Sequence, residues 1–417
     1  MSLFAGCGGL DLGFSRAGFS IPYACDRDPA AVACYRHNLG PHAHVADVRD
    51  DSFLAALSAL DDVDVVLGGF PCQGFSKAGP KRAADPRNDL YRRMQDAVRA
   101  LSPRAFVAEN VDGIQQNFGG AFVEQVRTGF QGYTVAYTIL DAAAYGLPQH
   151  RRRAFFVGVR DDLDATFQWP PPTHNPPARS GEFRLSLRTD GLPPPRTVRD
   201  AIGDLIDLDP GVPDHAVTNR WPARYTHVFA AIGPGQKLCN VRNAETSVYT
   251  WQIPEAFGET SAAQRHILET IARNRRHKRY GRRPNGNPIP APEIARLCGE
   301  ADVSEDLESL RQEGYLKVVD GDYDLKGAMF CSGLFKRPRW DAPSPTVLTN
   351  FHNPRYFLHP TANRPLSLRE CARLQGFPDD FGFTAAGVSL KDGHRLVGNA
   401  VPPPLAQAIA QAVRGTF

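Results

Sequence analysis

The chain has 417 residues, 42% of them apolar and 22% charged, enough to bury a sizeable core and to fill two domains, since single cores stop growing near ~250–300 residues. This composition excludes disorder, collagen and a small disulfide scaffold. No run approaches the ~18 apolar residues of a membrane span and the N-terminus does not read as a signal peptide, so the expectation is a cytoplasmic protein with no membrane contact. Net charge is only +3, yet of the 48 basic residues eight are lysine and the rest arginine, whose planar fork suits phosphate and guanine. A GC-rich genome would give the same bias. The eight cysteines are scattered, with no C-x-x-C pair and no Cys/His spacing suited to zinc, so they read as free thiols and no metal is expected.

Up to about Gly158, short apolar runs alternate with helical stretches. Ser2–Phe4, Tyr23–Cys25, Val63–Leu67, Ala105–Ala108, Val135–Leu140 and Ala154–Val159 read as strands, which predicts an α/β, doubly wound, mostly parallel sheet. Eight prolines between Trp169 and Arg196 then mark a linker or irregular surface. From there to about Trp340 the periodicity is weak. Within this stretch Pro292–Cys298, Ser304–Glu313, Tyr315–Val319 and Tyr323–Lys326, the last two around Asp320-Gly321, resemble a helix-turn-helix with a hairpin wing. Ile294, Leu297, Val303, Leu307 and Leu310 would form its small core. Its second helix carries Glu305, Asp306, Glu308 and Glu313 against Arg311, so phosphates would repel it and a packing or protein-contact role is expected. After Trp340, Ser367–Gln375 and Pro404–Arg414 read as helices.

The chemistry concentrates near the start. Ser2-Leu3-Phe4-Ala5-Gly6-Cys7-Gly8-Gly9-Leu10 is a strand, a glycine turn and a helix, the place where an open α/β sheet takes a nucleotide-like ligand. Asp26 stands 20 residues beyond Gly6 at the end of the second strand, where a carboxylate can accept both ribose hydroxyls. Asp11 occupies the position where a dinucleotide fingerprint wants glycine, and an anion at that helix N-terminus opposes a pyrophosphate. The ligand expected is an adenosine without phosphates, and S-adenosylmethionine fits. Gly68-Gly69-Phe70-Pro71-Cys72-Gln73-Gly74-Phe75-Ser76 follows the next strand, holding a thiol out of the core as a nucleophile needs. The strand after it ends in Ala108-Glu109-Asn110-Val111, which puts a carboxyl beside that thiol. Farther on, Gln149-His150-Arg151-Arg152-Arg153 precedes an apolar strand, and extended backbone would turn Arg151 and Arg153 to one face.

Together these residues resemble the C5-cytosine DNA methyltransferases. The resemblance covers roughly Ser2–Gly158 and Arg339–Pro403, in the family's order, and includes Arg369-Glu370-Cys371-Ala372-Arg373-Leu374-Gln375-Gly376-Phe377-Pro378 and Gly398-Asn399-Ala400-Val401-Pro402. It implies an S-adenosylmethionine-dependent, prokaryotic restriction-modification enzyme that methylates a flipped-out cytosine in double-stranded DNA. On this likeness Phe4, Gly6, Gly8, Gly9, Asp26, Arg27, Asp47, Val48, Leu90, Asn399 and Val401 line the cofactor site. Cys72 is the nucleophile, Glu109 meets the N3/N4 edge of cytosine, and Arg153 with Arg151 binds O2 and nearby groups. Gly74–Asn88 resembles the family's mobile loop, so Gln73, Ser76, Lys77, Lys81 and Arg82 are expected DNA contacts. Residues 1–165 completed by 392–417 would be the catalytic domain, and 166–391 a target-recognition domain with the winged-helix-like insert near 259–326. A restriction endonuclease partner, a monomeric state and nucleoid association are further expectations of the resemblance. Ser2 departs from the aspartate that relatives usually carry at that position.

Ile271–Arg283 packs seven basic residues and no acid into thirteen positions. Such a run is either a solvated face or a phosphate clamp, and the clamp would use Arg275, Arg276, Lys278 and Arg279. An RNA (tRNA) cytosine-C5 methyltransferase built on the same motifs, and a DNA-binding relative without catalysis, remain as alternatives.

Overall fold

The computed structural model describes residues 1–50, 53, 57, 60, 62–71, 90–175, 191–217, 221–240, 245–283, 286–326 and 333–417, the side chains of 116–119 excepted. It divides into two compact units. One comprises Met1–Ala216, Trp340–Asn350 and Ser367–Phe417, the other Val217–Arg339 and Phe351–Leu366.

The first unit is built on seven strands: β1 (Ser2–Leu3), β2 (Ala24–Asp26), β3 (Ala43–Val45), β4 (Val65–Gly68), β5 (Ala105–Val111), β6 (Tyr133–Asp141) and β7 (Arg152–Arg160). Their order in the sheet is β3-β2-β1-β4-β5-β7-β6. Neighbours from β3 to β5 run parallel, while β7 lies antiparallel to both β5 and β6. The doubly wound sheet expected from the alternation is therefore present. Buried Val, Leu, Ala and Phe side chains fill β4, β5 and β7 on both faces, as strands covered on two sides require. The sequence reading misses β3, because His44 and Val45 are exposed on this three-residue edge strand and leave no apolar run to see.

Helices flank the sheet: α1 (Gly9–Arg16), α2 (Pro29–Leu39), α3 (Leu90–Leu101) and α4 (Ala121–Thr128); the short α5 (Val198–Ile202) packs instead on the helix Leu368–Gln375. In the second unit lie α6 (Tyr225–Ala231), α7 (Pro254–Phe257), α8 (Ala262–Asn274), α9 (Ala291–Cys298) and α10 (Ser304–Gln312). The chain then returns to the first unit for α11 (Leu368–Gln375), α12 (Leu390–Asn399) and α13 (Pro403–Arg414). Ser367 caps α11 in a capping box with Glu370, which explains why this helix starts where the sequence says it should. The last helix, α13, buries Leu405, Ala406, Ile409 and Val413 in one core cluster with Leu10 and Phe14 of α1. The two helices approach so closely that a Cβ on Gly13 would lie 2.4 Å from the Ala406 Cβ.

In the second unit, the segment expected to be winged-helix-like has that architecture. Helices α8, α9 and α10 are followed by an antiparallel hairpin, β10 (Leu316–Val319) with β11 (Asp322–Leu325); the two-residue strands β8 (Lys237–Leu238) and β9 (Ser247–Val248) precede them. Ile289 adds a short bridge to Tyr323, supplying the small third strand of the wing sheet. Ile294, Val303, Leu307 and Leu310 are buried as the periodicity required, joined by Ile267, Leu268 and Ile271 of α8, whereas Leu297, expected among them, is only half-buried.

One residue of the basic run is corrected by this packing. Arg275 was grouped with exposed phosphate contacts, but it is only 3% exposed and its guanidinium pairs with the equally buried Asp324 of β11 at 2.6 Å. A buried Arg-carboxylate pair cannot also reach solvent phosphates. Arg276, Lys278 and Arg279 stand exposed.

Candidate active site

Strand order reverses between β1 and β4, because the chain runs outward through β2 and β3 before returning to the other side of β1. Ligands of open α/β sheets bind at the carboxyl ends of strands flanking such a reversal. Both sequence motifs of interest leave from these two ends: Phe4–Gly9 after β1 and Gly69–Pro71 after β4.

The turn after β1 is tight. Gly8 sits at φ +92°, where a side chain would strike Tyr35 and Leu39 of α2. Asp26, at the end of β2, closes it: its Oδ2 accepts from Gly6 N at 2.9 Å and its Oδ1 from Asp28 N at 2.9 Å. Burial pushes its carboxyl above the ordinary value, against those two amides. Each oxygen keeps a lone pair for a further donor. A Cβ on Gly6 would meet nothing, so the space beside the turn is open. Phe4 packs against the apolar cluster that holds Leu3, Val48, Phe70 and Leu90. The Gly6–Asp26 pairing read from spacing is thus a direct contact.

The end of the chain returns to this turn. A Cβ on Gly9 would lie 2.4 Å from the Val401 carbonyl, and Arg395 of α12 pairs with Asp28 at 2.5 Å. Asn399 is exposed at the end of α12 and Val401 is buried. Arg27 is exposed, and Asp47 has its carboxylate gripped by the Arg49 guanidinium, which lowers its pKa to about 2. Asp11, read as an anion that opposes a pyrophosphate at the start of α1, is fully buried and accepts from Ser2 Oγ and Tyr35 OH, both at 2.7 Å.

At the end of β5, Glu109 forms an ion pair with Arg153 of β7, Oε1 to Nε 2.9 Å, with both side chains 11% exposed. Desolvation raises the Glu109 carboxyl, while Arg153 and then Arg151 pull the other way. The chain leaving β4 passes beside this pair: a Cβ on Gly69 would sit 3.4 Å from Glu109 Oε2. Asn110 Nδ2 donates to the Phe70 carbonyl at 3.0 Å. That bond was not foreseen, since nothing local says which backbone group a strand-end amide will face.

Arg151 has a different place from the one expected. It is fully buried, and its guanidinium donates to the carbonyls of Val347 (3.0 Å), Gly398 (2.7 Å) and Ala400 (2.9 Å). Burial and the nearby Arg153 lower its pKa. Gln149, also buried, donates to Leu374 O and Gln375 Oε1 and accepts from Val347 N. Both residues tie the approach to β7 to the returning C-terminal segments, so Arg151 positions Gly398–Ala400 rather than meeting a substrate base.

The sequence profile of the C-5 cytosine-specific DNA methylase family matches residues 1–415. The chain belongs to that family. Type II methyltransferase M.AgeI of Thalassovita gelatinovora is 32% identical to it, covering 99% of this chain and 98% of its own length. Type II methyltransferase M.XorII of Xanthomonas oryzae is also 32% identical, covering 98% and 82%. A DNA modification methyltransferase encoded within a prophage (E. coli) shares the fold, with a TM-score of 0.54 at 23% identity over 100% of this chain and 98% of that one. Of the alternatives left open by the motifs, DNA cytosine-5-methyltransferase is the one that holds.

In this methylase Cys72 and the loop residues Gln73, Ser76, Lys77, Lys81 and Arg82 lie outside the described residues. Among the described residues no group of three or more His, Cys, Asp or Glu could hold a metal ion, and no helix is long and apolar enough to cross a membrane.

Proposed function

We propose that this DNA cytosine-5-methyltransferase takes its methyl group from S-adenosylmethionine and works through a covalent Cys72 adduct on a cytosine turned out of duplex DNA. The observation that carries the reading is the buried Glu109–Arg153 pair, set against Gly69 on the lead-in to Pro71-Cys72, with only β4 between its strand β5 and the β1 end that carries the Gly6–Asp26 turn.

The turn fits the cofactor. The Asp26 carboxylate has capacity left for ribose hydroxyls, the space beside Gly6 is open, and Phe4 with Val48 and Leu90 offers an apolar wall to a purine. S-adenosylmethionine bound there would supply an electrophilic methyl on a sulfonium.

C5 of cytosine is too weak a nucleophile to take that methyl unaided. Cys72 thiolate adds to C6, Glu109 holds N3 and Arg153 the O2 side, and the electron pair displaced by addition becomes available at C5. Transfer leaves a neutral thioether behind; solvent water then accepts the C5 proton, the C5–H electron pair re-forms the C5–C6 double bond, and the C6–S bond breaks with its pair returning to the Cys72 thiolate, giving 5-methylcytosine. Neither face of C6 is reachable inside a duplex, so the base is flipped out. The unit made of Val217–Arg339 and Phe351–Leu366 would read the target sequence. A restriction endonuclease of matching specificity is the partner this reading implies.

Duplex DNA carrying 5-fluorocytosine at the target tests it, because fluorine cannot leave as a proton does. The wild-type protein with S-adenosylmethionine should form a denaturation-resistant adduct and Cys72→Ala none. Adduct formation by the variant would exclude Cys72 as the nucleophile.

A further inference from the structure

The second unit contains a complete winged helix, and its charges sit on the wrong element for ordinary reading of DNA. In that fold the second helix of the helix-turn-helix enters the major groove. Here that helix is α10. It presents Glu305, Asp306 and Glu308 in its first turns and Glu313 just past its end, and its only arginine, Arg311, is held by Glu308 at 2.7 Å. The phosphates bordering a groove would meet a wall of carboxylates.

The opposite charge gathers on the loop between α8 and Ile289. Arg276, Lys278, Arg279, Arg282 and Arg283 are all exposed there. Arg279 pairs with Glu293 at 2.9 Å and Arg283 with Asp320 of the wing turn at 3.4 Å. Among the described residues Arg276, Lys278 and Arg282 have no carboxylate partner. The loop is also held in shape. Beneath it lies the buried Arg275–Asp324 pair, and Asn287 brackets it, donating from its backbone to Arg275 O at 2.7 Å and accepting from Arg283 N at 3.0 Å. His277 caps the short turn Lys278–Tyr280 through its side chain. A built framework that holds like charges side by side in water gains nothing by itself. It becomes favourable when a polyanion releases its counterions to them.

We propose that the winged helix of this methylase grips the sugar-phosphate backbone of duplex DNA through Arg276, Lys278 and Arg282 of the loop after α8, with α10 held off the duplex. The proposal rests on the enzyme's substrate being DNA and adds a contact that carries no sequence information.

A salt titration of the full-length protein on duplex DNA tests it. Arg276→Gln, Lys278→Gln and Arg282→Gln combined should lower the slope of log affinity against log salt by roughly two to three units, at about 0.9 per phosphate contact. The loss should be the same on duplexes with and without the methylated sequence, and the methylated sequence should not change. An unaltered slope overturns the proposal, and so does methylation at new sites, which would make the loop a base reader. E305Q, D306Q and E308Q combined should leave affinity and slope unchanged; a steeper slope, which removing carboxylates and freeing Arg311 gives only beside phosphates, would put the duplex on α10 and also overturn the proposal. Arg275→Gln should lower the melting temperature while keeping the salt slope of the folded fraction, and a lowered slope there would contradict its placement as an internal strut. A wild-type protein that binds duplexes with the expected slope yet transfers no methyl group would defeat the proposed chemistry and leave the grip standing.

Discussion

Asn110 donates from its side-chain amide to the carbonyl of Phe70, 40 residues earlier in the chain, across a 3.0 Å buried hydrogen bond. This bond fixes the chain two residues before Cys72 against the strand that carries Glu109. Asn110 is a positioning residue. Asn110→Ala leaves the Phe70 carbonyl without its donor, at a cost of about 1–3 kcal/mol in stability. The expected kinetic outcome is a lowered kcat with the S-adenosylmethionine dissociation constant unchanged. Equal losses in both quantities would show that the bond merely supports the fold.

Glu109 gives a pH signature. Burial raises its carboxyl above the ordinary value, so the folded chain keeps this proton at pH values where the unfolded chain, near ~4.3, has released it. The folded state then binds more protons than the unfolded one, and this group's contribution to stability falls as pH rises from the unfolded value through the raised folded one. Glu109→Gln cannot titrate. The melting temperature of wild type minus that of the variant should fall as pH rises across that window, on top of whatever constant offset the loss of the Arg153 partner adds. Parallel curves would mean that the carboxyl is not raised.

If the proposed cofactor site holds, Asp26→Ala removes charge-assisted hydrogen bonds to the ribose, each worth roughly 1.5–3 kcal/mol, so affinity for S-adenosylmethionine should fall ~10–100-fold. Turnover at saturating cofactor should change less. Calorimetry showing wild-type affinity would separate the Gly6–Asp26 contact from cofactor binding and leave it as a brace for the turn.

The role given to Arg151 is open to a similar separation. Arg151→Met strips the donor from the carbonyls of Val347 and Gly398, each buried orphan costing about 1–3 kcal/mol, while Ala400 keeps its bond from Gln375 Nε2. Because Gly398–Ala400 lead directly to Val401 at the glycine turn, the folded variant should bind S-adenosylmethionine more weakly while its KM for DNA holds. The reverse pattern would return Arg151 to the substrate base.

Much of this protein is written locally. Runs such as Ala105–Ala108 and Ala154–Val159 announce strands because a strand buried on both faces must be apolar at every position. The winged helix was legible for a similar reason: Ile294, Val303, Leu307 and Leu310 keep helical spacing, and Asp320-Gly321 marks the hairpin turn. Gly6 and Asp26 could be paired in advance because a strand-helix-strand crossover brings positions about that far apart to the same sheet edge. By contrast β3, with two exposed residues out of three, carries no such signal.

Sequence by itself therefore determined the strands, the glycine turn and the order of the motifs, since each is written in a short stretch of chain. Tertiary structure alone decided what the charged residues do. Arg151 and Arg153 are two positions apart, yet one feeds three carbonyls from the chain's far end while the other pairs with Glu109. Arg275 and Arg276 are adjacent, yet one is a buried strut on Asp324 and the other faces water. A long cationic side chain is compatible with any of these fates, and the choice is made by whichever carboxylate or carbonyl the fold delivers within hydrogen-bond reach, often hundreds of residues away. Burial then makes that choice binding, because an arginine withdrawn from water must keep the partners that replaced it.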